Sequence, residues 1–211
     1  MRKMLLEKER VLSLYRDQEL SAKEVAIKCG VRMGAVYRAL EKFEIPKRTS
    51  WESNRIRFNG QPASFVPRHI ASSSEKDLKI AGLMLYWGEG TKAGDGLDFA
   101  NSDTAMIGIF MKFLREVCGV NESRLRGNLY MYADQSEKLL LNHWSEVMRL
   151  PLSQFTRPHV RPDFRTEGRK MEWGLIHVRY CDKKLLAWVI NELKILQEHM
   201  GGSYSGNYTT L

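Results

Sequence analysis

The chain is 211 residues long and 43% hydrophobic, with 33 Lys+Arg against 25 Asp+Glu for a formal net charge of +8. This is enough apolar material for one sizeable core and a small satellite domain, and no run approaches the ~18 apolar residues of a membrane span, which speaks against a membrane-embedded protein. The charge is uneven: residues 1–70 hold 15 Lys+Arg against 8 Asp+Glu and the rest 18 against 17, so the basic surface belongs to the N-terminal part and points to a polyanion, nucleic acid first.

Three cysteines, Cys29, Cys118 and Cys181, are too far apart for zinc-ligand spacing and leave one unpaired in any disulfide scheme, so they are expected to be buried thiols in a reducing cytosol. Arg2-Lys3-Met4-Leu5-Leu6 runs directly into Glu7-Lys8-Glu9-Arg10 without the apolar stretch of a signal peptide. The expected location is the cytoplasm, on the nucleoid if the polyanion is chromosomal.

In chain order, Leu5, Leu6, Glu9, Leu12, Leu14 and Tyr15 are spaced for a first amphipathic helix that stops at Asp17-Gln18-Glu19. Ser21 with Glu24 three residues on forms a capping box for a second helix closing at Cys29-Gly30. After a tight turn at Gly30-Val31, a third helix runs from about Arg32 to Phe43, with Val36, Ala39, Leu40 and Phe43 on one face. Ala26, Gly30, Val31 and Val36 occupy helix-turn-helix offsets.

Residues 10–45 resemble the helix-turn-helix of resolvase-like and regulatory DNA-binding proteins. The resemblance implies that the start of the third helix reads base edges in the major groove, which assigns that role to Arg32, Met33, Gly34, Tyr37 and Arg38. Lys47 and Arg48 follow Pro46 on an expected extended arm suited to a phosphate strand or the minor groove. Periodicity then fades from Thr49 to Ser74, where Pro62, Pro67, Arg55, Arg57 and Arg68 suggest a basic interdomain linker; Trp51, Phe58 and Phe65 suggest that part of it docks. The expected division is a helix-turn-helix domain at 1–48, a linker at 49–74, a second domain at 75–198 and a loose tail at 199–211.

In the second domain, Leu78 to Gly90 is an apolar helix ending with Glu89 between Gly88 and Gly90; glycine's tolerance of positive φ suits it to terminate the helix there and leaves the acid projecting from the helix end. Leu97 to Ala100 alternates as a strand, Ser102 or Asp103 caps a helix through Met106 to Val117, and Leu125 to Tyr132 is a strand with Arg126, Asn128, Tyr130 and Tyr132 on one face. A helix from about Ser136 to Met148 leads into a basic loop with Arg149, Arg157, His159, Arg161, Arg165, Arg169 and Lys170. A strand from Gly174 to Tyr180 puts His177 and Arg179 on one face, and a last helix covers about Asp182 to Glu198.

This order, with Trp87-Gly88-Glu89-Gly90, Phe99-Ala100-Asn101-Ser102-Asp103 and Phe110 to Val120, resembles a single-motif LAGLIDADG homing endonuclease domain over residues 75–198. The resemblance implies an α+β fold of αββαββα type with an antiparallel sheet lying on double-stranded DNA. It also implies a homodimer through the helix 78–88, with Glu89 of each copy holding Mg²⁺ or Mn²⁺ at a scissile phosphate. Lys92, Arg179 and His177 are the candidate supporting cations, and Arg126, Asn128, Tyr130, Arg161 and His177 the candidate DNA-contacting residues of the sheet.

Two functions stay open at this point: metal-dependent strand cleavage by the homodimer, and non-catalytic DNA binding by a transcriptional regulator of the same fold, since such a domain also stands beside a helix-turn-helix in bacterial sporulation-type regulators. RNA binding in the manner of intron maturases ranks third, because a helix-turn-helix suits duplex DNA.

Overall fold

Side-chain caps set where the helices begin. Ser21 Oγ accepts from Glu24 N at 3.2 Å while Glu24 Oε2 accepts from Ser21 N at 2.8 Å, and the same reciprocal box recurs at Thr49 with Glu52 and at Ser72 with Glu75. Asp103 and Asp182 cap two further helices through their carboxylates. The computed structural model describes residues 6–161 and 171–201, and the chain divides into two units, 1–62 and 63–211.

The first unit contains α1 (Lys8–Leu12), prolonged by a wider turn over Ser13–Asp17, then α2 (Ala22–Cys29), α3 (Met33–Lys42) and α4 (Ser50–Gly60). Gly30 has φ +63, the left-handed conformation that the turn between α2 and α3 requires and that glycine adopts without penalty. Val11, Val25, Val36 and Leu40 are fully buried around that turn, and Ala26 lies in the same core at 5% exposure. The segment expected to be linker begins instead with the capped helix α4, which has no buried residue.

In the second unit the order is α5 (Ser73–Glu89), β1 (Leu97–Asn101), α6 (Thr104–Phe113, continued by a wider turn to Cys118), β2 (Leu125–Tyr132), α7 (Glu137–Met148), β3 (Phe155–Arg161), β4 (Leu175–Tyr180) and α8 (Lys183–His199). The fold is α+β with a four-stranded mixed sheet in the order β1-β4-β2-β3. β4 runs antiparallel to β1 and β2, whereas β3 runs parallel to β2. The expected αββαββα order and wholly antiparallel sheet are therefore corrected to αβαβαββα and a mixed sheet. Single strands, rather than pairs, follow α5 and α6, whereas β3 and β4 both follow α7, and β3 arises inside the basic segment expected to be a loop.

Alternation divides the sheet into two faces. Phe99, Leu129, Ile176, Val178 and Tyr180 are buried in one core with residues of α5, α6, α7 and α8. Phe110 of α6 stacks on Phe99 with ring centroids 4.1 Å apart and on Tyr86 at 6.0 Å. Gly82 of α5 faces this core: a Cβ there would lie 2.1 Å from Phe113 Cγ, so the glycine allows α5 and α6 to approach.

Residues 64–68 also belong to this unit and not to a linker. Val66 N donates to Gly119 O at 3.1 Å, Arg68 N to Val117 O at 2.9 Å, and Ser64 N to Asp182 Oδ2 at 2.9 Å. Phe65 docks at 8% exposure, whereas Trp51 stays 67% exposed. Cys29 and Cys118 are buried as expected, but Cys181 is exposed, because it sits in the connection after β4, outside the alternating core positions. The expected roles of Arg165, Arg169 and Lys170, and most of the expected tail, lie outside the described residues.

Candidate nucleic-acid interface

On α3, burial of Val36, Ala39 and Leu40 turns the other side outward, and Arg32, Met33, Gly34, Tyr37 and Arg38 are all exposed. The periodicity that packs the helix thus presents Met33, Gly34, Tyr37 and Arg38 together at its N-terminal half, and Arg32 stands just before them as the N-cap residue. Arg38 Nε donates to Gly34 O at 3.3 Å, and Lys47 Nζ lies 5.9 Å from the Tyr37 ring centroid, so Lys47 joins the same face.

Arg48 is placed differently. Its Nη1 donates to Glu19 O and Leu20 O, both at 3.1 Å, its guanidinium lies 4.1 Å from the Tyr15 ring centroid, and its backbone N donates to the Tyr15 hydroxyl at 3.1 Å. With Ile45 buried and Pro46 O accepting from Arg16 at 3.0 Å, residues 45–48 are fastened to the unit instead of forming a free arm.

The face of the sheet turned away from the helical core collects most of the other expected residues. Cross-strand register sets Asp98 beside Arg179, Arg179 beside Arg126, His177 beside Asn128, and Tyr130 beside His159. The Tyr130 ring stands between two imidazoles, its centroid 4.6 Å from that of His177 and 4.8 Å from that of His159. The rings are tilted against one another, by 34° for Tyr130 with His177 and 44° for Tyr130 with His159, and their polar atoms suit hydrogen bonding more than intercalation of a base. Arg126 is tied back, donating through Nη1 to Ser123 O and Leu125 O at 2.7 Å. Arg161 is exposed on β3 beside Tyr132.

Asp98 organises this face, although no local motif singles it out. Its Oδ1 meets His177 Nδ1 at 2.8 Å and its Oδ2 accepts from Arg179 Nε at 2.8 Å. Burial pushes the Asp98 carboxyl up, but the hydrogen bond and charge of His177, then of Arg179, outweigh it and hold the carboxyl below its ordinary value. The partners are 79 and 81 residues away, so only pairing of β1 with β4 identifies them.

A group with a depressed folded pKa contributes stability that is complete above its unfolded value, ~4 for aspartate, and is lost as pH falls through the folded value. Asp98→Asn is accordingly expected to lower stability at neutral pH and to remove part of the loss on acidification below about pH 4. Urea denaturation of both proteins over a pH series checks this; parallel stability curves would contradict it. Glu75 and Asp182, also held below their ordinary values, are present in both proteins and cancel.

At the end of α5, Gly90 has φ −82, so positive φ is not why glycine stands there. A Cβ would fall 2.3 Å from the Tyr86 ring, and the absence of one lets Gly90 bridge to Phe99 while Thr91 N donates to Asp98 O at 2.9 Å. The Tyr86 hydroxyl donates to Thr91 O, completing the fastening of the helix end to β1. Glu89 is exposed. Lys92 Nζ donates to Gly90 O at 2.5 Å; burial lowers the pKa of Lys92, and the nearby Glu89 charge acts against that.

Among the described residues no three His, Cys, Asp or Glu side chains converge as metal ligands. Arg179, expected beside Glu89 as a catalytic cation, is instead held by Asp98. Ile80, Met84 and Trp87, 39%, 40% and 43% exposed, form an apolar stripe at helical spacing on the outward side of α5.

Comparisons with protein-family models, with curated proteins and with solved structures found no match for the chain. Among the described residues no helix is long and apolar enough to cross a membrane.

Proposed function

We propose that the chain is a sequence-specific double-stranded DNA-binding protein in which α3 enters the major groove and the sheet face of the second unit opposite its helices contacts DNA. The observation that carries this reading is the joint exposure of Met33, Gly34, Tyr37 and Arg38 on the side of α3 turned away from its buried face, with Arg32 exposed at the N-cap of the same helix. Arginines in such a position donate to guanine or phosphate, and Tyr37 with Lys47 suits backbone contact. Arg161 and the ordered row of His177, Tyr130 and His159 supply further donors on the sheet.

Binding without cleavage is the reading we favour. Cleavage requires Mg²⁺ or Mn²⁺ held by carboxylates, and among the described residues of one chain no three such ligands converge. A homodimer through the helix 78–88 supplies a second Glu89, with Ile80, Met84 and Trp87 as its apolar contact, and this is the form in which the endonuclease alternative survives.

The test is to incubate the protein and a Glu89→Gln variant with a supercoiled plasmid library of randomised sites in Mg²⁺ or Mn²⁺, then to sequence cut and retained DNA. Equal enrichment of the same sites by both proteins, without cutting, is expected of the regulator. Site-specific cuts that disappear in the variant would establish the metal-dependent endonuclease instead, and enrichment of no site by either protein would overturn both.

A further inference from the structure

Beside the row of rings, the β2–β3 ladder is interrupted. Asn128 pairs with Thr156 and Tyr130 with His159, so Leu129 alone faces both Arg157 and Pro158. Proline brings no N–H to a ladder, and an extra residue on one strand makes a bulge that re-aims its neighbours. Asn128, 8% exposed, fastens the irregularity: its Nδ2 donates to Thr156 Oγ1 at 2.6 Å and reaches Arg157 O at 3.4 Å.

The bulge lies beside a cleft of about 580 Å³ lined by Asn128, Tyr130, Glu137, Arg157, Pro158 and His159, among others. That volume falls in the ordinary range of small-ligand sites. Its chemistry is mixed. Arg157 is a donor suited to phosphate, whereas the Glu137 carboxylate, at the start of α7, accepts hydrogen bonds and repels phosphate. A carboxylate in a cleft that borders an arginine-rich face matches N–H groups, and in a nucleic acid those N–H groups lie on base edges. Guanine presents N1–H and the N2 amine side by side, which fits both oxygens of one carboxylate; thymine presents a single N–H. In a paired duplex these guanine donors are already engaged, so the complementary group is an unpaired guanine, whose release from the stack costs least when it has no partner.

We propose that this cleft binds an unpaired guanine nucleotide, with the Glu137 carboxylate accepting from guanine N1–H and N2–H and Arg157 meeting the adjoining phosphate. The inference rests on the reading of the sheet face as a nucleic-acid surface and adds to it a site with base preference that duplex contact alone does not require.

Fluorescence anisotropy with three labelled duplexes tests it: one fully paired, one with a single extrahelical guanine and one with a single extrahelical thymine. The wild-type protein is expected to bind the guanine-bulged duplex about tenfold more tightly than the thymine-bulged one. Glu137→Gln is expected to make the two equal while leaving the fully paired affinity close to that of wild type. Because the comparison is a ratio within one protein, the charge removed by the substitution cancels. Arg157→Ala, as a second variant, is expected to weaken both bulged duplexes alike. Equal wild-type affinity for all three duplexes would overturn the guanine site and leave duplex binding standing, as would a guanine preference that persists in Glu137→Gln. Failure to bind any duplex would overturn the nucleic-acid reading as well.

Discussion

Phe110→Ala is expected to destabilise the second unit by about 3–5 kcal/mol, the cost of removing a fully enclosed aromatic side chain and leaving a cavity. Phe110 is 0% exposed and touches Phe99, Tyr86 and Phe113 with ring centroids 4.1, 6.0 and 5.8 Å away. Those neighbours cannot collapse independently, because Phe99 belongs to β1 and Tyr86 to the end of α5 that is fastened to β1. The consequence extends to the sheet face, since Asp98 is the residue before Phe99 and faces the opposite way. Urea denaturation measures the loss; a change below about 1 kcal/mol, the level of an ordinary substitution, would contradict this account of the core.

The largest functional effect is expected from Arg32→Ala combined with Arg38→Ala. If each arginine contributes to base reading, each substitution costs about 1–3 kcal/mol of specific binding, and the double variant loses most of its discrimination between target and random duplex. Both side chains are exposed, and Arg38 retains only the local bond to Gly34 O, so folding is expected to survive. The affinity ratio for a selected duplex and a scrambled one is the measurement. An equal fall for both duplexes would assign these arginines to phosphate, and no change would remove α3 from the interface.

Local chemistry made much of the fold legible in advance. The Ser21 and Glu24 box, the αL turn at Gly30, the Asp103 cap and the alternation of β1, β2 and β4 each depend on residues within a few positions of one another. The Thr49 and Glu52 box was equally local, yet α4 was expected to be linker because no apolar periodicity follows it, and the helix indeed buries nothing.

β3 was hidden by the opposite circumstance. It is an edge strand containing Pro158, largely exposed, and its arginines and histidine carry no alternation that distinguishes a strand from a basic loop. Its parallel pairing with β2 is a tertiary property. The outward residues of α3 followed from the helical period, whereas Arg48 turned inward because Glu19 O, Leu20 O and the Tyr15 ring lie where its guanidinium reaches. The role of Asp98 depends on β1 meeting β4 from the far end of the chain.

The most direct measurement is retention of a randomised duplex library by the protein at rising salt, with sequencing of what remains bound. The proposal predicts affinity that falls with salt in log–log fashion, as phosphate contacts release counterions, together with progressive enrichment of one site. Retention of no duplex, or salt-sensitive retention without enrichment of any sequence, would contradict sequence-specific DNA binding.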